Sequence, residues 1–170
     1  MPNIEEFIVG ESRGEIEVSG LEEHRQVVYH MLRQAKRTVD VVSRHLDRRL
    51  FDQRDLIDAL RTLAVKNKRA RIRLLVIDTS PLVRGDHRLV TLVKRLPTFF
   101  EIRGPGPDYR AFNSSFVIAD GAASLYIQQA EQYHGEACFY DPIRAGELAR
   151  QFQKMWDSGL QDVNLRQMRI

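Results

Sequence analysis

The stretch that most constrains the fold of this chain spans residues 112–128 and reads FNSSFVIADGAASLYIQ. An apolar run ends at Asp120-Gly121, a dipeptide that readily supplies the positive φ angles of a tight hairpin turn. A second, shorter apolar run follows at residues 125–127. The pattern predicts two antiparallel strands joined by a short connection, and we interpret the other elements as packing around this hairpin.

Short β-branched or apolar runs alternate with helix-like segments through much of the chain. Residues 38–43 (TVDVVS) and 74–77 (LLVI) are typical of strands, and the segment between them has acids at its start and bases at its end, which suits a helix dipole. Strand, helix and strand in this order form a right-handed crossover unit with parallel strands. The sequence therefore predicts an α/β fold with a mixed, mostly parallel sheet flanked by helices.

The last predicted helix begins at Asp141-Pro142, with its proline in the first turn, and ends at Gly159. A chain of 170 residues is long enough for one domain, which we assign to residues 14–159. Residues 1–13 are assigned to an N-terminal extension. Residues 160–170 are assigned to a C-terminal tail that is mobile or binds a partner.

Cysteine content and hydropathy indicate a soluble protein of a reducing compartment. The single cysteine, Cys138, rules out a disulfide framework within the chain, and its apolar neighbours favour a buried strand position. No apolar run reaches the roughly 20 residues of a membrane span, and the acidic start is not that of a signal peptide. We therefore expect a cytoplasmic protein.

The five histidines are scattered along the chain. His24 and His30 lie six residues apart, on different faces of the first predicted helix, so we interpret both as surface or boundary residues rather than as a metal pair. His87 is expected at a helix N-terminus, where the partial positive charge favours a neutral imidazole. The sequence has no zinc, phosphate-loop or nucleophile-elbow motif, so neither a metal nor a cofactor is predicted.

Charge is unevenly distributed along the chain. Residues 1–23 carry a formal charge of −6, residues 24–95 carry +11 and the remainder carries −2. Clustered Arg and Lys attract phosphates, so the basic block predicts a nucleic-acid partner. The alternative is that the bases simply cover solvated helix faces. The nucleic-acid candidates are Lys66, Lys68, Arg69, Arg71 and Arg73.

The predicted hairpin resembles the signature strand of the phospholipase D superfamily, in which H-x-K is followed by four residues, an aspartate and a turn of small residues. Asp120 stands at the aspartate position, Asn113 at the histidine position and Ser115 at the lysine position. The resemblance extends over residues 14–159 and is to an uncharacterised bacterial group with a single repeat. It implies the phospholipase D-like fold, and also a homodimer, because two repeats build one shared site in catalytic members.

The same comparison implies a degenerate active site. In catalytic members the histidine attacks phosphorus and the lysine binds phosphate oxygens, and neither Asn113 nor Ser115 can perform these tasks. Residues 127–130 (IQQA) also replace a Gly-Ser-x-Asn turn. An amide and a hydroxyl can still donate hydrogen bonds to an anion. The resemblance thus argues against an enzyme and implies a binding or regulatory module for a phosphate-bearing ligand, nucleic acid or protein partner.

Two alternatives stay open at this point. A catalytic histidine relocated to His45, His87 or His134 would leave a phosphodiesterase or phosphotransfer enzyme. A structural adapter would instead have a large exposed apolar patch and no polar cleft. The triplet at 113–115 is also typical of a plain polar loop that enters a buried strand.

Polar residues expected at the carboxyl ends of strands supply the remaining ligand candidates, because open α/β sheets bind ligands beyond those ends. For residues 43–45, capping of the next helix is the alternative interpretation. The full set of ligand-binding candidates is Asn113, Ser115, Asp120, Ser43, Arg44, His45, Asp78, His87 and His134.

Overall fold

The predicted hairpin is present. Strands β5 (Ser115–Ala119) and β6 (Ala123–Ile127) pair antiparallel, with Ser115 opposite Ile127 and Ala119 opposite Ala123. Asp120 and Gly121 in the connection have φ angles of 55° and 65°, the left-handed values that such a turn requires. The computed structural model describes residues 1–160. The hairpin forms part of the β-sheet of these residues.

The sheet of residues 1–160 has seven strands, in the order β1-β7-β6-β5-β2-β3-β4. Besides the hairpin, these are β1 (Ile16–Ser19), β2 (Thr38–Ser43), β3 (Arg71–Val76), β4 (Phe100–Arg103) and β7 (His134–Cys138). The helices are α1 (Gly20–Arg33), α2 (Arg48–Phe51), α3 (Arg54–Lys66), α4 (Arg88–Arg95) and α5 (Pro142–Ser158). Short 3-10 turns occupy Ile4–Glu6, Ser80–Arg84 and Pro107–Tyr109.

The α/β fold is confirmed, but the sheet is not mostly parallel. Within residues 1–160, parallel pairing joins β2 to β3 and β3 to β4, and the other four pairings are antiparallel. Residues 120–122 and 128–133 connect consecutive strands. Parallel pairing needs a connection of a dozen or more residues, so these short segments can only produce antiparallel neighbours.

Helices cover both faces of the sheet. α1, α3 and α4 pack on one face, over a core that includes Val39, Ile72 and Leu125. α5 packs on the other face, where Phe152 and Trp156 lie against strand residues such as Phe116. This helix starts as predicted, because the Asp141 side chain accepts a hydrogen bond from the backbone N–H of Arg144 and Pro142 occupies the first turn.

The N-terminal segment packs onto the domain. Ile4 is buried in the main core, the Gly10 N–H donates to the Phe139 carbonyl (2.9 Å), and the His30 ring bonds the Phe7 carbonyl (3.0 Å). His30 is therefore buried, and so is His24, whose ring packs edge-on against Tyr133. The expectation that these two histidines are surface or boundary residues is wrong, because segments distant in sequence cover the two ends of α1.

At the other end of the described chain, Leu160 forms a β-bridge with Gly104. The remainder of the predicted tail, residues 161–170, lies outside the described residues. Within residues 1–160, no helix has both the length and the apolar character needed to cross a bilayer.

Candidate functional site

Several candidate residues meet at one edge of the sheet, which we call the carboxyl edge. It comprises the carboxyl ends of β2 and β3 together with the first residues of β5 and β7. The strand register places Val42 opposite Phe116 and Ile127 opposite both Ser115 and Gly135, so these ends lie side by side. Ser43, Asp78, Ser115 and His134 therefore share this edge. Of these, the sequence predicted a strand-end position for Ser43 and Asp78.

Ser115, at the lysine position of the family pattern, lines a cavity at this edge. The cavity measures about 30 Å³, enough for one or two water molecules but not for a phosphate group. Ser43 also lines it, but its buried hydroxyl already accepts a hydrogen bond from the Leu46 N–H (2.9 Å). The other lining residues are Val28, Val42, Asp47, Leu50, Phe51, Phe116, Val117, Leu125, Ile127, Ala130 and Tyr133. The walls are mainly apolar, so this position is not a preformed anion cradle.

The polar groups beside Ser115 hold loops together. Asn113 is exposed, and its carbonyl accepts from the Ala130 N–H (2.8 Å). The Ser114 hydroxyl donates to the Gln128 carbonyl (2.7 Å). Arg44 makes a long hydrogen bond to the Phe112 carbonyl (3.4 Å). The Asn113 side chain is thus exposed to solvent beside the carboxyl edge and does not line an enclosed site.

His45 and Asp78 are within hydrogen-bond distance at the surface, with 3.2 Å between Nε2 and Oδ2. The Ser80 hydroxyl donates to the second Asp78 oxygen at 2.7 Å. Hydrogen bonds from Ser80 are the largest cause of a lowered pKa at Asp78, and His45 contributes less. Both members of the pair are more than 40% exposed, so the arrangement is open to solvent.

His87 is a structural residue. It caps α4, where Nδ1 accepts from the Leu89 N–H (3.2 Å) and Nε2 donates to the Leu46 carbonyl (3.0 Å). Burial lowers the pKa of this fully enclosed imidazole, which agrees with the neutral histidine that the sequence predicts. Since both ring nitrogens are used, His87 is not placed to act as a relocated catalytic base.

His134 lies at the start of β7 and is largely exposed. Its ring nitrogens are 3.4 Å from the Glu17 carboxylate and 3.4 Å from the Ser19 hydroxyl. Across residues 1–160, no hydrogen bond joins a histidine to Asn113 or Ser115. The described contacts therefore do not assemble a substitute for the missing family histidine.

Asp120 lies just beyond the end of β5 opposite to Ser115, about 16 Å away at the rise of an extended strand. Its carboxylate accepts hydrogen bonds from three consecutive backbone N–H groups, those of Lys36 (2.8 Å), Arg37 (2.8 Å) and Thr38 (3.0 Å). Asp120 thus fixes the connection between α1 and β2. Its inclusion among the ligand candidates needs correction, because both oxygens are committed to the fold.

Arg73 also needs correction, as a nucleic-acid candidate. Its guanidinium binds both oxygens of Asp40, at 2.7 and 3.1 Å, and its centre lies 4.7 Å from the Phe152 ring. Both charged side chains are only 12–13% exposed. The alternating pattern of β3 directs Arg73 beneath α5, so its charge is neutralised within the protein rather than offered to a phosphate.

The other four nucleic-acid candidates, Lys66, Lys68, Arg69 and Arg71, are exposed and make no ion pair within residues 1–160. They lie at the amino end of β3, on the side of the sheet opposite the carboxyl edge.

Lys36 and Arg37, which the sequence did not single out, lie beside these four. The Asn67 side chain donates to the Lys36 carbonyl (2.6 Å), and the Arg71 N–H donates to the Arg37 carbonyl (3.0 Å). Parallel pairing of β2 with β3 was the signal that could have found them, because it brings the loops that precede the two strands together. We call Lys36, Arg37, Lys66, Lys68, Arg69 and Arg71 the basic edge.

No metal centre is evident in the part of the chain that the structure describes, since no three His, Cys, Asp or Glu side chains are grouped to hold an ion. Cys138 is buried near the end of β7, as predicted. The described residues thus provide a small, mainly apolar cavity at the carboxyl edge and, at the opposite ends of the strands, an exposed basic surface whose cations make no ion pair within residues 1–160.

A family model described as domain of unknown function (DUF7931) matches residues 20–168. The chain belongs to the DUF7931 family. No curated protein matches this DUF7931 chain in sequence. The matched segment includes the hairpin, the basic edge and α5, so the family assignment covers every element discussed above except the N-terminal segment and β1.

Solved structures share the fold of this DUF7931 domain. TrmBL2, an archaeal chromatin protein whose structure shows a novel mode of DNA binding, aligns with a TM-score of 0.66 at 14% identity, over 89% of this chain. NucT from Helicobacter pylori aligns with a TM-score of 0.65 at 11% identity, over 88% of this chain and 99% of NucT. Nuc from Salmonella typhimurium, a phospholipase D family member, aligns with a TM-score of 0.59 at 13% identity, over 88% of this chain and 99% of Nuc.

These alignments establish the phospholipase D-like fold and, at such low identity, the fold alone. The chain spans about half of TrmBL2, of which 54% is covered.

Burial of His24 predicts a pH-dependent stability. Nδ1 donates to the Gly20 carbonyl (2.7 Å), whereas Nε2 has no hydrogen-bond partner, and burial lowers the pKa of the ring below its ordinary 6.5. An unfolded His24 takes up a proton near pH 6.5 that the folded chain resists, so stability is complete above that pH and is lost as the pH falls below it. Burial also lowers the pKa of His87, so this residue likewise reduces stability as the pH falls.

Urea unfolding at about pH 7.5 and about pH 5.5 measures this effect. We expect a lower free energy of unfolding at the acid pH, and a smaller difference between the two pH values in His24→Asn. His45→Asn, which removes an exposed histidine, is the matched control. An unchanged pH dependence in His24→Asn would show that this ring does not contribute.

Proposed function

We propose that this DUF7931 domain is a non-catalytic, phospholipase D-like module that binds the phosphate backbone of nucleic acid through its basic edge. The observation that carries the proposal is the convergence of six exposed, unpaired cations on the two neighbouring segments that lead into β2 and β3. None of the six forms an ion pair within residues 1–160. The Asp120 carboxylate lies beside them, but it binds the backbone N–H groups of residues 36–38 rather than their side chains. An uncompensated cluster of this kind attracts polyanions over a distance of about 10 Å at ordinary salt.

The alternative of a solvated helix face accounts for only part of this surface. Basic residues in the last turn of a helix complement its dipole, and Lys66 fits that description. The other five residues of the basic edge lie outside the helices, in loops or at the first residue of β3. Helix-dipole compensation therefore does not explain why they are basic.

The arrangement of the carboxyl edge favours a binding role over phosphodiesterase activity. A phosphodiester cannot enter a cavity of about 30 Å³, and Asn113 and Ser115 offer neither a nucleophilic imidazole nor a cation. The DNA-binding mode described for TrmBL2, which has a similar fold, is compatible with a binding role for this fold.

A salt titration of duplex DNA binding tests the proposal. If about five or six phosphate contacts form at the basic edge, log Kd should rise with log salt with a slope of about 5 between about 50 and 200 mM. The slope should not depend on base sequence, because side chains that contact phosphates do not read bases. Gel analysis of the DNA after incubation distinguishes binding from cleavage. Absence of binding at about 50 mM salt would overturn the proposal, and cleaved DNA would favour the enzymatic alternative.

A further inference from the structure

A second group of basic residues lies between α3 and α4, which pack on the same face of the sheet. Its groove measures about 320 Å³ and has arginines along both walls. Those of α3 are Arg54 and Arg61, and those of α4 are Arg88 and Arg95. Ile57 and Leu92 form the floor and are almost completely buried, at 4% and 2% exposure.

The positive charge of the groove is only partly neutralised. Arg61 pairs with Asp58 at 2.8 Å, and Arg88 has a distant contact with Asp52 at 3.8 Å. Arg54 and Arg95 are exposed and make no ion pair with another residue of the described chain. Two guanidinium groups are therefore available to a ligand without breaking an existing pair.

The spacing of the arginines suits a repeating anion. Seven residues, or about 10 Å, separate the two arginines along each helix. A guanidinium binds phosphate oxygens through two parallel N–H groups, which favours Arg over Lys at such contacts. Lys66, at the end of α3, belongs to the basic edge and lies only about 8 Å along the helix from Arg61. The groove and the basic edge thus form neighbouring parts of one positive surface.

We propose that the groove seats the sugar-phosphate backbone of duplex nucleic acid that is also bound at the basic edge; this inference rests on the proposed function. Because the floor of the groove is buried, it offers little apolar surface to the side chains of an acidic peptide helix. The arginines of its walls therefore favour the phosphates of a nucleic acid over such a peptide. Single-strand sites stack bases on aromatic rings, and no aromatic residue lines this groove in the described chain. The duplex, whose bases need no protein contact, is therefore the preferred ligand.

The test uses Arg54→Gln/Arg95→Gln, which removes the two unpaired charges. Its matched control is Arg150→Gln/Lys154→Gln, which removes two exposed charges from α5 on the other face of the sheet. Binding of a duplex of about 20 base pairs should weaken about 10-fold or more at about 50 mM salt in the groove variant, and the salt slope should fall by about 1.8. The control should keep the wild-type slope. Circular dichroism establishes that both variants are folded.

Three results would overturn the inference in different ways. A groove variant with the wild-type slope, alongside loss of binding when the basic edge is neutralised, would remove the groove and leave the proposed function intact. Tighter binding of single-stranded DNA than of the duplex would remove the assignment of a duplex ligand. Absence of binding by the wild-type chain would be a failure of the proposed function itself.

Discussion

Duplex binding is expected to weaken about 100-fold or more at about 50 mM salt when four cations of the basic edge are neutralised together. The variant changes Lys66, Lys68, Arg69 and Arg71 to glutamine. Each side chain is exposed and unpaired, so its loss removes a phosphate contact without breaking an ion pair of the folded chain. The salt slope should fall by about 3 to 4, at about 0.9 per lost contact. Fluorescence anisotropy of a labelled duplex measures both quantities.

Arg150→Gln/Lys154→Gln again supplies the control, since it lowers the net charge of the protein without altering the basic edge. If this control lost as much affinity per charge as the fourfold variant, binding would depend on net charge rather than on a defined surface. A fourfold variant that bound within about threefold of the wild type would contradict the assignment of phosphate contacts to the basic edge.

Asp40→Ala is expected to lower the free energy of unfolding by about 3 kcal/mol. The change would leave Arg73 without its bidentate partner in a position where the arginine side chain is only 12% exposed. A hydrogen bond to Gln153 (3.0 Å) and the rings of Phe152 and Trp156 would remain, but none of them carries a compensating charge. Urea denaturation followed by circular dichroism measures the loss.

Asp58→Ala is the matched control for Asp40→Ala, because it removes an aspartate from an ion pair with Arg61 whose side chains are 48% and 60% exposed. An exposed pair of this kind contributes about 0.5 kcal/mol or less. If the two substitutions lowered the free energy of unfolding equally, the burial of Arg73 would not account for the loss of stability in Asp40→Ala.

Local patterns predicted the elements that depend on neighbouring residues. Asp120-Gly121 identified the hairpin because the positive φ angles of its turn restrict residue choice. Asp141-Pro142 identified the start of α5 because a side-chain cap and a missing N–H act within one turn. The strand order could not be obtained in this way. It depends on which strands pair across the sheet, and only the shortest connections constrain that choice.

Nonlocal contacts explain the errors at the candidate site. Arg73 was placed on a charged surface because its neighbours in sequence are basic, yet a partner 33 residues away neutralises it. His24 has the spacing of a surface helix residue, but Tyr133 covers it. Lys36 and Arg37 were missed for the converse reason, since only the pairing of β2 with β3 brings them beside Arg71.

The Asp120 carboxylate links the basic surface to the order of folding. Its three hydrogen bonds join residues 82–84 positions apart, so the loop that carries Lys36 and Arg37 gains these bonds only after the hairpin has docked against β2. Contacts of such long sequence separation form slowly, because the intervening chain must first be ordered. In a chain still emerging from the ribosome, Lys36 and Arg37 would therefore be exposed before the basic edge is complete. An isolated fragment that ends before the hairpin would retain the charge of this segment but lack the geometry that makes it a binding surface.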